Sequence, residues 1–346
     1  MTNEAMRRRL PRECPSSPAG SFRGLAFNAP ASSPATALNP RRPFLRTLPA
    51  FLAAIALGAL VHAATPAPRV LLLAAARTGS DIVAVGERGT ILRSSDSGKS
   101  WIQLPRPTAA TLTGVAFDGL GKSGWIVGHD AFIGASTDGG RTWQAQWQGP
   151  SLESSFLDVC ALDHQHAIAV GAYGLFLSTA DGGRTWTQRK VIDDDMHLNR
   201  ITRGPTGTLY LAGERGTLLR SVDSGDSWQR LAAPYDGSFY GVLPLGGHAL
   251  LAHGLRGRIF RSVDDGDGWR PVPLDRPMLI AAGLETKGGA IILAGQARAL
   301  YLSRDGGVSF EPWSTGLASA VSDLLEAPDG TVLAFGEAGV TALPSP

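Results

Sequence analysis

Six aspartates occupy the same place in six near-copies of one short string, and carboxylates repeated in this way invite a catalytic or metal-binding reading. The strings run Ser94–Trp101, Ser136–Trp143, Thr179–Trp186, Ser221–Trp228, Ser262–Trp269 and Ser303–Phe310, all of the form Ser/Thr-x-Asp-x-Gly-x-x-Trp/Phe. Their aspartates (Asp96, Asp138, Asp181, Asp223, Asp264 and Asp305) recur every 41 to 43 residues, and a repeat of that period governs everything else in the chain. Six equivalent carboxylates distributed over a repeating structure cannot meet at one ligand. In a tight turn, Asp accepts hydrogen bonds from nearby backbone N–H groups, the following Gly tolerates a positive φ, and the Ser/Thr hydroxyl ties the turn further. The six aspartates are therefore expected to brace turns, and the aromatic residue three after the Gly to fill space between repeats.

Other groups with chemical potential have plainer explanations. Tyr173, Tyr210, Tyr235, Tyr240 and Tyr301 fall on strand or loop positions. His164, His166 and His197 lack a third ligand at a metal-binding spacing, and Asp193-Asp194-Asp195 reads as a solvated loop. Cys160 lies in an apolar run and is expected in the core, while the only other cysteine, Cys14, precedes the repeats. No metal, cofactor, catalytic residue or small-molecule substrate is expected.

The elements around the boxes share one frame. Ten residues before each box aspartate stands a glycine (Gly86, Gly128, Gly171, Gly213, Gly254 and Gly295), and Gly336 continues the series. Each glycine ends a short apolar run, such as Ile82–Val85 or Ile291–Ala294, which reads as a buried strand. A turn and a second run follow, the box turns the chain again, and its aromatic residue opens another strand. With one more strand upstream, for example Leu112–Phe117, each repeat holds four antiparallel strands in about 42 residues, the unit of a β-propeller blade. A solenoid is the rival, but its repeats are usually shorter or helical, and no helical period is present here. The fold class is all-β, a seven-bladed β-propeller with Asp-box hairpins, its blades near 70–105, 111–149, 154–190, 197–231, 238–273, 279–313 and 319–346. The seventh lacks a box and a fourth strand. Because an open ring would expose a strand edge, residues 64–70 are expected to supply that strand and close the ring, their prolines being tolerable at an edge.

Residues 1–63 read as a leader outside the fold, and 64–346 as the propeller. Residues 48–61 form an apolar run after Arg41, Arg42 and Arg46, with small residues at its end, which describes a secretory signal and is short for a membrane span. Arg41-Arg42-Pro43-Phe44-Leu45-Arg46 also resembles a twin-arginine export signal, with Pro40 where Ser or Thr is preferred. Residues 1–40 have no period and reflect either an upstream start codon or a long extension. An exported, periplasmic protein is expected. Beyond residue 63 the chain carries 24 basic and 28 acidic side chains, which argues against nucleic-acid binding through overall charge.

The repeat resembles the Asp-box (BNR) repeats of sialidases and, more closely, those of the photosystem II stability/assembly factor family. That family carries Gly-x-x-Gly-x-Ile/Leu-x-x-Ser-x-Asp-x-Gly-x-x-Trp repeats, met nearly in full at Gly86–Trp101 and Gly213–Trp228. The resemblance covers about 65–346 and speaks for architecture more than for activity. A sialidase would need an arginine triad, a Tyr nucleophile with a Glu partner and an Asp acid. The Arg-Ile-Pro signature is missing near the start of the propeller, and Arg258-Ile259-Phe260 lies inside a repeat.

The shared frame also places the residues two after each glycine on one face: Arg88, Asp130, Tyr173, Arg215, Arg256, Ala297 and Ala338. The assembly factors are similar in presenting arginines on one face to protein partners, and a loop-borne Arg pairs bidentately with carboxylates. Arg88, Arg215 and Arg256 are thus the candidate partner-binding residues, against the alternative of solvated turn residues offset by Glu87 and Glu214. The resemblance implies a non-enzymatic, monomeric scaffold docking a membrane-protein complex on the periplasmic or lumenal side. The competing reading is a sialidase-like glycosidase or carbohydrate-binding propeller.

Overall fold

The computed structural model describes Thr65 and residues 67–149 and 154–346, all within a compact unit spanning Ala59–Pro346. The leader, with its apolar run at 48–61 and its arginines, lies outside the described residues. The described chain forms seven antiparallel sheets, six of four strands and one of three, each taken in chain order from the inside outward. They cover 72–103, 112–148, 156–188, 198–230, 239–272, 280–312 and 321–342, inside the blade limits drawn from the sequence. The innermost strand of each sheet touches that of the next, and Val321–Glu326 of the last meets Leu72–Thr78 of the first, so the ring is closed. This is a seven-bladed β-propeller.

Apolar patterning explains the layering. The second strand of every blade lies between two neighbouring sheets and is buried along nearly its whole length, as in Gly124–Gly128, Leu209–Gly213 and Val332–Gly336. The glycine ending each second strand has an extended backbone. Its lack of a side chain answers a close approach: a Cβ at Gly86 would stand 2.0 Å from the Leu71 carbonyl oxygen, and one at Gly336 2.1 Å from that of Ala320. Opposite each of these glycines the innermost strand carries a β-bulge, between Leu72 and Ala74 in the first blade and at the matching place in the other six. A bulge adds one residue to a strand and re-aims its side chain.

The Asp boxes share one bonding scheme, except that Gly268 in the fifth blade has no hydroxyl to offer Asp264. In the second blade, Ser136 Oγ accepts from the Gly140 N–H at 2.9 Å and donates to Asp138 Oδ1 at 2.7 Å. Asp138 Oδ1 accepts the N–H groups of Arg141 and Thr142, and Oδ2 accepts the Thr142 hydroxyl at 2.7 Å. These donors favour the ionised form against a counteracting desolvation and hold Asp138 at about 2; Asp181, Asp223 and Asp305 are held at about 2 by the matching Ser/Thr hydroxyls. The box aromatics pack backward into the previous blade. Trp143 joins Val83, Val85 and Ile91 of the first blade, and Trp101 meets Phe335 of the seventh edge-on, with ring centroids 6.1 Å apart.

Closure between the seventh and first blades differs from the expectation. The seventh sheet has three strands, and among the described residues of 64–70 the backbone pairing is that of Thr65 with Trp101, in the first blade. The segment seals the junction by packing. Ala67 and Val70 lie against a cluster holding Trp101, Leu333, Phe335 and Val340, and a Cβ on Gly339 would stand 2.5 Å from the Pro68 carbonyl oxygen. Pro68 has no N–H to donate to a ladder, so apolar contact takes the place of strand pairing.

Candidate functional site

The two faces of the disc carry different chemistry. The boxes lie at the ends of the second strands away from the frame glycines, since Ile82 pairs with Ser94 while Gly86 stands at the other end. On the glycine side, the residue after each frame glycine donates its N–H to the carbonyl just before the innermost strand, as Glu87 does to Leu71 and Glu214 to His197. Their side chains are also tied down: Glu87, Glu214 and Glu337 accept the N–H groups of Leu71, His197 and Ala320 at 3.1 to 3.3 Å. These glutamates serve the backbone and do not simply offset the neighbouring arginines.

One residue further on, Arg88, Arg215 and Arg256 point into solvent. Their backbones are left-handed, with φ of 55°, 48° and 57°, a region that costs a side-chain-bearing residue roughly 1 kcal/mol and glycine nothing. Asp130, Tyr173 and Ala297 share that conformation, so it belongs to the turn. What differs from blade to blade is the side chain carried there. Ala338 leaves the series, because the seventh blade closes a shorter turn in which Gly336 pairs directly with Gly339. Among the described residues none of the three arginines is ion-paired. Tyr173 is 67% exposed and meets His197 edge-on at 4.9 Å.

These turns ring the mouth of the central channel. The bulged residues of all seven innermost strands (Leu73, Thr113, Leu157, Asn199, Tyr240, Ala281 and Ser322) line one funnel of about 450 Å3, together with Leu71, Leu279 and Ala320. A narrower cavity of about 240 Å3 lies below it, and Arg200 lines both. Arg200 reaches from the fourth blade across the channel to the seventh, its Nη2 3.3 Å from Asp323 Oδ1, and its Nε is 3.8 Å from Asp158 Oδ2 in the third. Asp323 also accepts the Ala75 N–H of the first blade, and Asp158 that of Ile201, each at 3.0 Å. Desolvation pushes Asp158 up to about 6 despite Arg200 and the Ile201 N–H. Nearby, burial pulls His253 down to about 4, so its imidazole is neutral, with Nδ1 3.1 Å from the Ile280 carbonyl oxygen.

The sequence reading overlooked this triad, although a signal for it exists. Aligned on the bulge, the position after it reads Ala74, Gly114, Asp158, Arg200, Gly241, Ala282 and Asp323. Three charges stand where the other four blades carry Ala or Gly, and those four small residues leave room for an arginine to cross.

The remaining candidates do not converge. Tyr210 and Tyr301 are buried and donate to Asp265 and Asp275, while Tyr235 packs on Phe239 and Phe260. Among the described residues no tyrosine bonds a glutamate, and no three His, Cys, Asp or Glu side chains stand together as a metal site would require. Cys160 is buried, and desolvation pushes its thiol up to about 12, so it is an inert core residue.

Fold and repeat together define an Asp-box β-propeller whose turns on one face carry variable side chains around a channel mouth. The family described as photosynthesis system II assembly factor YCF48 matches residues 145–340, and the chain belongs to that family. It is 28% identical over 163 residues to the photosystem II stability/assembly factor HCF136 of Oryza sativa subsp. japonica, a match covering 45% of this chain and 38% of that one. It is 26% identical over 147 residues to the photosystem II assembly lipoprotein Ycf48 of Synechococcus sp. strain CC9902, covering 41% and 43%. The matched regions are thus less than half of either relative. Both relatives carry the names of assembly factors rather than of enzymes. Among solved structures, YCF48 bound to D1 peptide superposes with a TM-score of 0.66 at 21% identity, over 82% of this chain and 94% of that one. A streptogramin B lyase superposes with 0.67 at 15% identity, over 81% and 94%. An enzyme and an assembly factor fit equally well, so the likeness establishes the propeller and leaves activity to the side chains.

Proposed function

We propose that this protein is a non-enzymatic, exported β-propeller that binds a polypeptide partner on its channel-mouth face and thereby assists the assembly or stability of a membrane-protein complex. The observation that carries this reading is the trio Arg88, Arg215 and Arg256. These are exposed, unpaired cations held in left-handed backbone around the funnel, where glycine would be the less strained choice. A planar guanidinium on a rigid turn suits bidentate pairing with the carboxylates of a protein chain. Membership of a family of photosystem II assembly factors supports the reading, as does the D1 peptide bound to a structural relative. In a phototroph the partner is a photosystem II subunit on the lumenal side; elsewhere the same face serves another envelope complex. Export agrees with the leader at 1–63 and with relatives named as a lipoprotein and as chloroplastic; the arginines at 41, 42 and 46 are consistent with a twin-arginine route into the periplasm, and the propeller of 64–346 acts as a monomer.

The test is capture of partners from a solubilised membrane fraction by the full chain and by the triple variant Arg88→Glu, Arg215→Glu, Arg256→Glu. Loss of the captured membrane proteins with an unchanged thermal midpoint is expected. Equal capture by both proteins would remove this face from consideration.

A further inference from the structure

The funnel has the form of a seat and not of a passage. Its wall combines leucines of the first, third and sixth blades, two alanines and the Tyr240 ring with the polar side chains of Thr113, Asn199 and Ser322, and Arg200, bridged to Asp158 and Asp323, narrows it toward the smaller cavity below. At about 450 Å3 it falls within the range of pockets that hold small groups, far below what a folded element would need. Its floor is poorly suited to an anion, because two carboxylates already oppose the one guanidinium. The acidic groups at its edge are engaged with backbone N–H groups, while the arginines one residue outward stay free. The centre therefore presents more apolar than polar surface, and the free cations of the rim are Arg88, Arg215 and Arg256, standing among the carboxylates of Glu87, Asp130, Glu214 and Glu337. Interfaces that draw most of their energy from a few contacts bury an apolar anchor centrally and hold polar contacts around it.

We propose that the funnel seats one apolar side chain of an extended, acidic segment of the partner polypeptide, with the acidic flanks reaching Arg88, Arg215 and Arg256. This inference rests on the reading of the face as protein-binding and adds the place and chemistry of the anchor. The bulges explain how the seat arises: one extra residue in each innermost strand turns seven side chains toward the axis, and these are mostly small or apolar. The Arg200 bridge keeps the seat shallow, so that a side chain enters and the chain that bears it stays on the face.

The experiment measures fluorescence polarisation of three labelled synthetic peptides with the full chain. The first alternates Glu and Gly around a central Phe, the second has Ser for the Phe, and the third has Lys for every Glu. The Phe peptide should bind at least about ten-fold more tightly than the Ser peptide, the usual worth of a seated apolar group. Filling the funnel with Ala281→Trp, or from another blade with Ser322→Phe, should abolish that advantage and leave the Ser peptide unaffected. Reversing the three arginines should weaken both acidic peptides alike. Equal binding of the Phe and Ser peptides, still lost on arginine reversal, would overturn the anchor and leave the protein-binding face standing. Binding of the Lys peptide as tightly as the acidic ones, or an Ala281→Trp variant that folds and keeps the Phe advantage, would also overturn it. Failure of every peptide, or binding of phosphatidylglycerol vesicles in their place, would remove both the anchor and the face.

Discussion

The box face and the channel-mouth face of the disc are made by the same repeat, yet they follow opposite rules. On the box face each box aspartate and its Ser/Thr partner are satisfied within four residues of themselves, so these carboxylates are spent on their own turn. On the mouth face the turn conformation is kept in six blades while the side chain changes from Arg to Tyr, Asp or Ala, at positions where glycine would be less strained. Repetition with local satisfaction marks structure, and variation on a fixed and strained frame marks the surface free to specialise. Changes on the box face should therefore affect stability, and changes on the mouth face should affect binding.

The largest effect is expected where the box side closes the ring. Trp101 is 2% exposed and touches the seventh blade, which has no box of its own. Trp101→Ala should lower unfolding free energy by about 3–5 kcal/mol in urea denaturation, and a loss below about 1 kcal/mol would show that the 65–70 segment seals the junction by itself. Next comes the channel. Arg200→Met strands Asp158 and Asp323 without their counter-charge, at a cost of about 2 kcal/mol, less than for a fully buried pair because the partners keep some exposed surface. Adding Asp323→Asn should recover part of that loss, and no recovery would mean that the bridge is incidental.

Smaller again is Asp138→Ala, expected to cost about 1–2 kcal/mol after allowance for solvent, with peptide binding unchanged. The two regions should also separate by pH. Asp138, held at about 2 against 3.8 unfolded, contributes stability above pH 4 that is lost as the pH falls toward 2. Asp158, raised to about 6, does the reverse: its contribution is complete below pH 4 and is lost as the pH rises through 6. The parent protein should thus lose stability relative to an Asp158→Asn variant between about pH 4 and 6, and a constant difference across that window would mean that folding leaves the Asp158 carboxyl unshifted. The smallest effect, and the most diagnostic of the contrast, is Arg215→Gly. Relief of its positive φ should offset the greater entropy of an unfolded glycine, leaving stability within about 1 kcal/mol of the parent, while binding of an acidic peptide weakens.

Much of this architecture is legible without coordinates. The frame glycines, the apolar runs such as Ile82–Val85 and the box strings recur at one period, so strand, turn and blade follow from neighbours in the chain. The arginine turns were legible for the same reason, because an equal offset from equivalent glycines places them on one face. The closure by 64–70 departs from the expected pairing: the sequence shows that the seventh sheet lacks a strand, but the choice between pairing and packing depends on where Pro68 meets Gly339.

By itself, then, the sequence determined the number of blades, the self-contained Asp boxes and the face on which Arg88, Arg215 and Arg256 stand. Tertiary structure alone decided what happens once per molecule. Arg200 meets Asp323 across 123 positions, and Asp323 meets Ala75 across 248. The aligned strands show that charges stand at these positions but not which of them meet, because the contacts exist only after seven local units have closed around a common axis.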